Sequence, residues 1–254
     1  MIARDLMPNF LSEKLWGDRM RYGLHPVRED PCWIEWQDMQ TEFYLENQTK
    51  GIGAVVNDSG YEIMSSLDLE NKTVLEFGPG NLRHYKFWNG HPKEYFIADV
   101  HEGMMNASKE IFESEKIPYQ SYLIRRNEDL PIKQHSIDVL VSFYSLEHLH
   151  PLIDYLTSIK RYLKPNGIII GAIPTEGGLL WGLGRFFTTR RWLKRNTTIN
   201  YDKLICWEHP NFADHIIRSL DQNFQRMDLK AWPIPFLASI DCNLTLRFCY
   251  KNTK

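Results

Sequence analysis

The sequence predicts an α/β protein built on a mostly parallel sheet. Three observations carry this. Thr73–Asn81, TVLEFGPGN, is a short apolar strand that breaks into a glycine turn. A second apolar run, Tyr95–Asp99, ends in an acid about twenty residues after that turn, the spacing of a strand–crossover–strand unit. Two more apolar runs, Ser136–Tyr144 and Ile168–Ile173, alternate with a segment of helical spacing.

The elements follow in order. Residues 1–72 precede the glycine turn and form an N-terminal helical layer, expected to pack against the sheet. Cys32–Gln48 places Trp33, Trp36, Met39, Phe43 and Leu45 at helical spacing, and Gly51–Leu67 turns Val55, Val56, Ile63 and Met64 inward. Arg19, Arg21 and Tyr22 are read there as surface polar residues. From residue 73 to 254 the sheet unit runs through a helix-like Leu82–Trp88, a helix Glu102–Glu115, a strand Tyr119–Ile124 and a helix Pro151–Leu163. Lys164–Gly167 then turns, with Asn166 suited to a left-handed residue. An interruption at 175–207 separates the fifth strand from a helix Phe212–Leu220 and two final strands, Phe224–Trp232 and Asn243–Tyr250.

A strand that ends in a glycine turn and opens a helix is a nucleotide site, because the turn lets backbone approach the ligand and the helix start offers free N–H groups. The dinucleotide pattern Gly-x-Gly-x-x-Gly needs a third glycine at position 83, which is Arg83. A nicotinamide oxidoreductase is disfavoured on that ground. Asp99 would lie beside the first turn, where a carboxylate accepts both ribose hydroxyls.

Glu76, Gly78 and Gly80 resemble the first motif of class I S-adenosylmethionine (SAM)-dependent methyltransferases, E/D-x-G-x-G-x-G, with Leu82 at the last glycine. Asp99 with Met104-Met105 resembles D-x-S-x-x-M-L, and Leu130-Pro131 resembles the adenine turn G-D-A-x-x-L-P, with Arg126 at its acid. Leu146-Glu147-His148 and Lys164-Pro165-Asn166-Gly167 resemble L-E-H and L-K-P-G-G. These pieces span Thr73–Pro174 in the family's order. The resemblance implies a Rossmann-like class I methyltransferase sheet of the type 11 kind, mostly parallel with an antiparallel last strand, with SAM as cofactor and no metal. It implies cofactor contacts at Glu76, Phe77, Gly78, Gly80, Asp99, Val100 and Ser142, with Asn127 and Glu128 toward adenine. In this family the exit of the fourth strand faces the methyl group, so Tyr144, Glu147 and His148 are the catalytic candidates, with His148 as a base and His150 and His209 as lesser ones.

Family insertions after the fifth strand cap the substrate side, which makes 175–207 a cap. It interleaves arginines with aromatics; Arg185, Arg190, Arg191 and Trp181 are the expected substrate-binding residues. Guanidinium forks beside rings suit phosphorylated or sugar ligands, and they equally suit a membrane surface. The cap, the segment EHPNF (208–212) and a closing hairpin resemble methyltransferases associated with bacterial surface polysaccharide synthesis. The acceptor is then a small molecule, a sugar hydroxyl of a glycan or its precursor. A lipid-carrier or other small-molecule methyltransferase and a non-catalytic SAM-binding partner protein remain alternatives, the last because of Leu82 and Arg126.

Composition bounds the rest. The chain has 254 residues, 43% of them hydrophobic, enough for a sizeable core, and a formal charge of −2, which argues against a nucleic-acid binder. Its four cysteines show no Cys-x-x-Cys pair, and Cys206 with His209 makes too few ligands for a metal. MIARDLMPNF lacks the apolar core of a signal peptide, so a cytoplasmic monomer or homodimer is expected, with peripheral membrane contact through the cap as an option.

Overall fold

The computed structural model describes residues 2–47, 51–124 and 129–253. The chain opens with α1 (Ala3–Leu6), α2 (Asn9–Trp16), α3 (Arg19–Tyr22), α4 (Pro31–Asn47) and α5 (Gly51–Tyr61), the last continued by a 3-10 turn, Glu62–Ser66. The sheet unit follows as β1 (Thr73–Phe77), a 3-10 turn (Arg83–Phe87), β2 (Glu94–Asp99), α6 (Glu102–Ser114), β3 (Tyr119–Leu123), β4 (Ile137–Phe143), α7 (Leu152–Lys160) and β5 (Leu163–Pro174). After it come α8 (Leu179–Phe187), α9 (Thr189–Asn196), α10 (Tyr201–Glu208), α11 (Ala213–Asn223), β6 (Gln225–Trp232) and β7 (Thr245–Lys251).

The seven strands form one sheet in the order β3-β2-β1-β4-β5-β7-β6. β1 to β5 are mutually parallel, and β7 is antiparallel to both β5 and β6. The chain reverses direction across the sheet between β1 and β4, and the carboxyl ends there frame the crevice where α/β sheets bind ligands. Period-two burial fills both faces. On one, Leu75, Leu140 and Ile169 meet α7 and α11 through Leu152, Leu156, Ile216 and Leu220. On the other, Val74, Ile97, Val139 and Ile170 meet Tyr61 of α5 and Met105 and Phe112 of α6. The spacing Ala213, Ile216, Ile217, Leu220 is one buried stripe of a helix.

Two local expectations change. Leu82–Trp88 forms only a 3-10 turn, entered through Leu82 in the left-handed region at φ 52°. That conformation is one glycine adopts freely and costs a leucine roughly 1–2 kcal/mol. Leu82 is fully buried, which returns about 1.5–3 kcal/mol and explains why a large side chain holds a glycine position. Lys164–Gly167 lies within the long strand β5, where Asn166 takes the left-handed conformation at φ 65°.

The N-terminal layer divides. α5 packs on the sheet beside β5 and β7, as expected. α4 does not; Trp36 and Phe43 join Leu193, Ile199, Leu204 and Trp207 of the cap in a separate core. Its aromatic stripe matches the aromatics of α9 and α10, with Phe43 edge-on to Trp192 at 5.1 Å. The Leu45 side chain lies outside the described residues. Among the described residues no helix is long and apolar enough to cross a membrane.

Candidate active site

The site is assembled at the carboxyl ends of β1, β2, β4 and β5. After β1, Gly78 has φ 68° and donates its N–H to Ala98 O at 2.9 Å, and Gly80 has φ 56°. A Cβ on Gly78 would stand 3.0 Å from Ser145 Oγ, so the turn is pressed against the exit of β4. Ser145 Oγ donates to Phe77 O at 3.0 Å and lies 3.3 Å from Ser142 Oγ. Phe77 and Ser142 thus belong to the seam between the turn and β4.

Glu76 is fully buried behind the turn. Tyr95 donates to its Oε2 at 2.8 Å and His84 Nε2 lies 2.8 Å from its Oε1. Trp88 donates to His84 Nδ1 at 2.8 Å, which puts the imidazole proton on Nε2, facing Glu76. Burial beside the carboxylate pushes the Tyr95 hydroxyl well above its ordinary pKa, so it remains a donor. Both oxygens of Glu76 therefore have protein partners, and the residue braces the glycine turn from inside. His84, Trp88 and Tyr95 were not foreseen; nothing in their spacing marks them as its partners.

Asp99 ends β2 beside the turn. Burial raises its carboxyl above the usual range, opposed by the His101 N–H, which donates to Oδ1 at 2.8 Å. Val100 next to it is exposed. Asn127 and Glu128 lie outside the described residues. Across the turn, Gln40 of α4 comes within 3.4 Å of His101 Nε2, which brings the N-terminal layer over this edge. Two positive-φ glycines at a strand end and a buried carboxylate one strand away form a cradle that fits SAM.

At the exit of β4, Tyr144 adopts φ 51°, and its hydroxyl is in contact with Val56 O at 3.1 Å and Asn57 O at 3.0 Å in α5. It ties the N-terminal layer to the sheet. Glu147 is buried, and its Oε2 has no hydrogen-bond partner among the described residues. Burial pushes its carboxyl up to about 7, partly offset by His148. His148 Nε2 is 3.9 Å from Glu147 Oε1, and its Nδ1 donates to Glu208 O at 2.6 Å.

A second cluster closes the site from the cap side. Glu176, just after β5, gathers three donors on Oε2: Trp181 Nε1 at 3.0 Å, His209 Nδ1 at 2.8 Å and the Arg185 guanidinium. Burial opposes ionisation of Glu176, but Arg185 and His209 outweigh it and hold the carboxyl down at about 2. Burial, with Arg185 close by, lowers His209 to about 3, so it is neutral. Arg19, read from sequence as a surface residue, is a half-buried clamp instead. It donates to His209 O at 2.8 Å and Pro210 O at 2.6 Å, with its guanidinium 3.6 Å from the Phe212 ring centre. The Tyr201 hydroxyl is buried nearby without a hydrogen-bond partner.

The four residues expected to bind substrate therefore separate. Arg185 and Trp181 point inward to Glu176. Arg190 pairs with Asp202 at 2.8 Å, and Arg191 is exposed. His150 stands edge-on to His25 at 4.6 Å, away from this cluster's hydrogen bonds. Cys206 Sγ donates to Asp202 O at 3.2 Å, and no group of three metal ligands occurs among the described residues. Glu176 was missed, although an acid directly after the fifth strand is the same signal that marked Asp99.

A buried carboxyl that keeps its proton makes stability fall as pH rises. The folded Glu147 loses its proton near pH 7, the unfolded one near 4.5. Between those values the folded state holds more protons, so this contribution is complete below 4.5 and lost by about 7. Glu147→Gln is expected to remove it. Thermal melts of the variant and the parent should diverge in the variant's favour by about 3 kcal/mol from pH 4.5 to 7.

The sheet order, with β7 antiparallel beside β5, is that of a Rossmann-like class I methyltransferase sheet, and the glycine turn with the acid on β2 fits SAM as its cofactor. Residues 75–171 match the family described as Methyltransferase domain. The chain is also similar to the human mitochondrial arginine-hydroxylase NDUFAF5, 32% identical over 148 residues, covering 58% of this chain and 39% of that protein. The chain thus spans well under half the length of that curated relative. Among solved structures it resembles an S-adenosylmethionine-dependent methyltransferase of Aquifex aeolicus, with TM-score 0.56, 11% identity and coverage of 84% and 98% of the two chains. A second, from Mesorhizobium loti, gives TM-score 0.52, 12% identity and coverage of 75% and 95%.

Proposed function

We propose that the chain methylates a hydroxyl of a small molecule, with a sugar of a surface glycan or its precursor as the acceptor class. The observation that supports this is the set state of His148. A carbonyl oxygen can only accept, so the Glu208 O contact keeps a proton on Nδ1, and in the neutral imidazole the lone pair then sits on Nε2. Nε2 lies at the exit of β4, 3.9 Å from a carboxyl whose second oxygen lacks a partner among the described residues.

SAM supplies a methyl group already activated on a sulfonium, so the protein's work is alignment and proton removal. Gly78 and Gly80 would hold the amino-acid end and Asp99 the ribose. His148 Nε2 would take the acceptor hydroxyl's proton while the bound cofactor, losing its methyl–sulfur bond, would give its methyl group to the oxygen and leave as the thioether S-adenosylhomocysteine. Tyr144 acts here as a positioning residue, because its hydroxyl is held by α5.

His148→Ala is expected to lower kcat about 10²-fold and leave S-adenosylhomocysteine affinity unchanged. The assay is mass-spectrometric detection of methyl transfer to a panel of sugar nucleotides. Unchanged kcat in the variant would remove the base role. The human relative's name favours a second reading, oxygenation of a guanidinium group, and the same mass readout with an arginine-containing peptide added to the panel separates the two by an added CH2 against an added oxygen. Analogue binding without turnover on any acceptor would favour the non-catalytic partner.

A further inference from the structure

The helix α8 is inside out. Its polar groups, Arg185 and the Trp181 indole N–H, point inward to Glu176, while Leu180, Leu183 and Phe187 face solvent at 39%, 38% and 59% exposure. Positions 180, 183 and 187 form one stripe of a helix. A stripe of this kind normally faces a core. α2 packs alongside, its Trp16 against Gly182, where a Cβ would stand 2.8 Å from the indole nitrogen. α2 also leaves Phe10 and Leu11 on the surface. Asp241 binds the starts of both segments, accepting from Ala3 N at 2.9 Å and Leu179 N at 3.0 Å. Two packed helices thus present large apolar side chains to water, more than scattered exposure explains.

The stripe continues into a basic helix. Arg191, Lys194 and Arg195 of α9 are exposed, and none of the three has an ion pair among the described residues. Phe187, Arg191, Trp192 and Arg195 line one hollow, so ring and guanidinium groups stand together. Lys14 of α2 is exposed beside them, its carbonyl accepting from Arg190. In a chain of net charge −2 this is a local positive field. Exposed leucine and phenylalanine flanked by unpaired arginine and lysine match an anionic bilayer, where the apolar groups enter the acyl boundary and the cations meet phosphate.

We propose that the face formed by α2, α8 and α9 docks this protein on an anionic lipid surface. This holds whichever group the enzyme modifies, and it assigns the arginines separate tasks. Arg185 and Arg190 hold the cap together, and Arg191 and Arg195 contact lipid phosphate.

The test is co-sedimentation of the full chain with phosphatidylglycerol–phosphatidylcholine vesicles and with phosphatidylcholine alone. The parent is expected to bind the anionic vesicles and to be released by high salt. Phe187→Glu and the double variant Arg191→Glu/Arg195→Glu should each cut the bound fraction at least about tenfold. These side chains are exposed, and an unchanged melting temperature checks that each variant folds. No binding by the parent, or equal binding by all variants, would overturn the proposal. So would a self-association in analytical ultracentrifugation that Phe187→Glu abolishes while vesicles bind nothing, since the occupant would then be a second copy.

Discussion

Asp99→Ala is expected to weaken S-adenosylhomocysteine binding about 10³-fold in isothermal calorimetry while the protein keeps its fold. The carboxylate stands at the end of β2, beside the turn that follows β1, with Oδ1 held by the His101 N–H. Two hydroxyl hydrogen bonds to a charged acceptor contribute roughly 1.5–3 kcal/mol each. The variant loses both, and the buried carboxylate is itself a cost to folding, so the melting temperature should hold or rise. Retained affinity would place the ribose elsewhere. Loss of affinity with loss of fold would be visible in the same melts and would assign Asp99 to structure.

Glu176→Ala is expected to destabilise the protein by about 3–5 kcal/mol, because it strands the buried Arg185 guanidinium without its partner. For a chain of this size the melting temperature should drop by about 10 °C. Trp181 and His209 lose the same acceptor, so α8 and the end of α10 lose their tie to the segment after β5. Adding Arg185→Met should recover part of the loss, since the uncompensated charge goes with it. The pH dependence carries a sign. Glu176 ionises near 2 in the fold and near 4.5 unfolded, so its contribution is complete above 4.5 and is lost as pH falls toward 2. Parent and variant should stay equally far apart from pH 5 to 8 and converge in acid. A variant as stable as the parent would show that the cap is held by its aromatic core alone.

Much of the architecture was legible because its signals are local. The strand runs, the glycine turn, the acid ending β2 and the left-handed Asn166 depend on neighbours in sequence, and they appear where they were expected. Leu82 shows the limit of pattern matching. The motif wants a glycine for its backbone freedom, and the chain keeps that backbone conformation with a leucine whose burial offsets the strain. The cap shows a different limit. Arg185, Arg190 and Arg191 look alike in a basic, aromatic stretch, yet one is paired with Glu176, one with Asp202, and one is exposed.

By itself the sequence determined the order of the sheet elements, the nucleotide turn, the crossover acid and the family they resemble. All of these follow from backbone preferences and apolar periodicity over a few residues. Only the tertiary structure decided that Glu76 is engaged by His84 and Tyr95, that Arg19 clamps the 209–210 backbone, and that Glu208 sets the tautomer of His148. Those pairings join residues from 8 to 191 positions apart. Whether a buried charge finds its partner depends on how helices and strands pack, and periodicity carries no record of that.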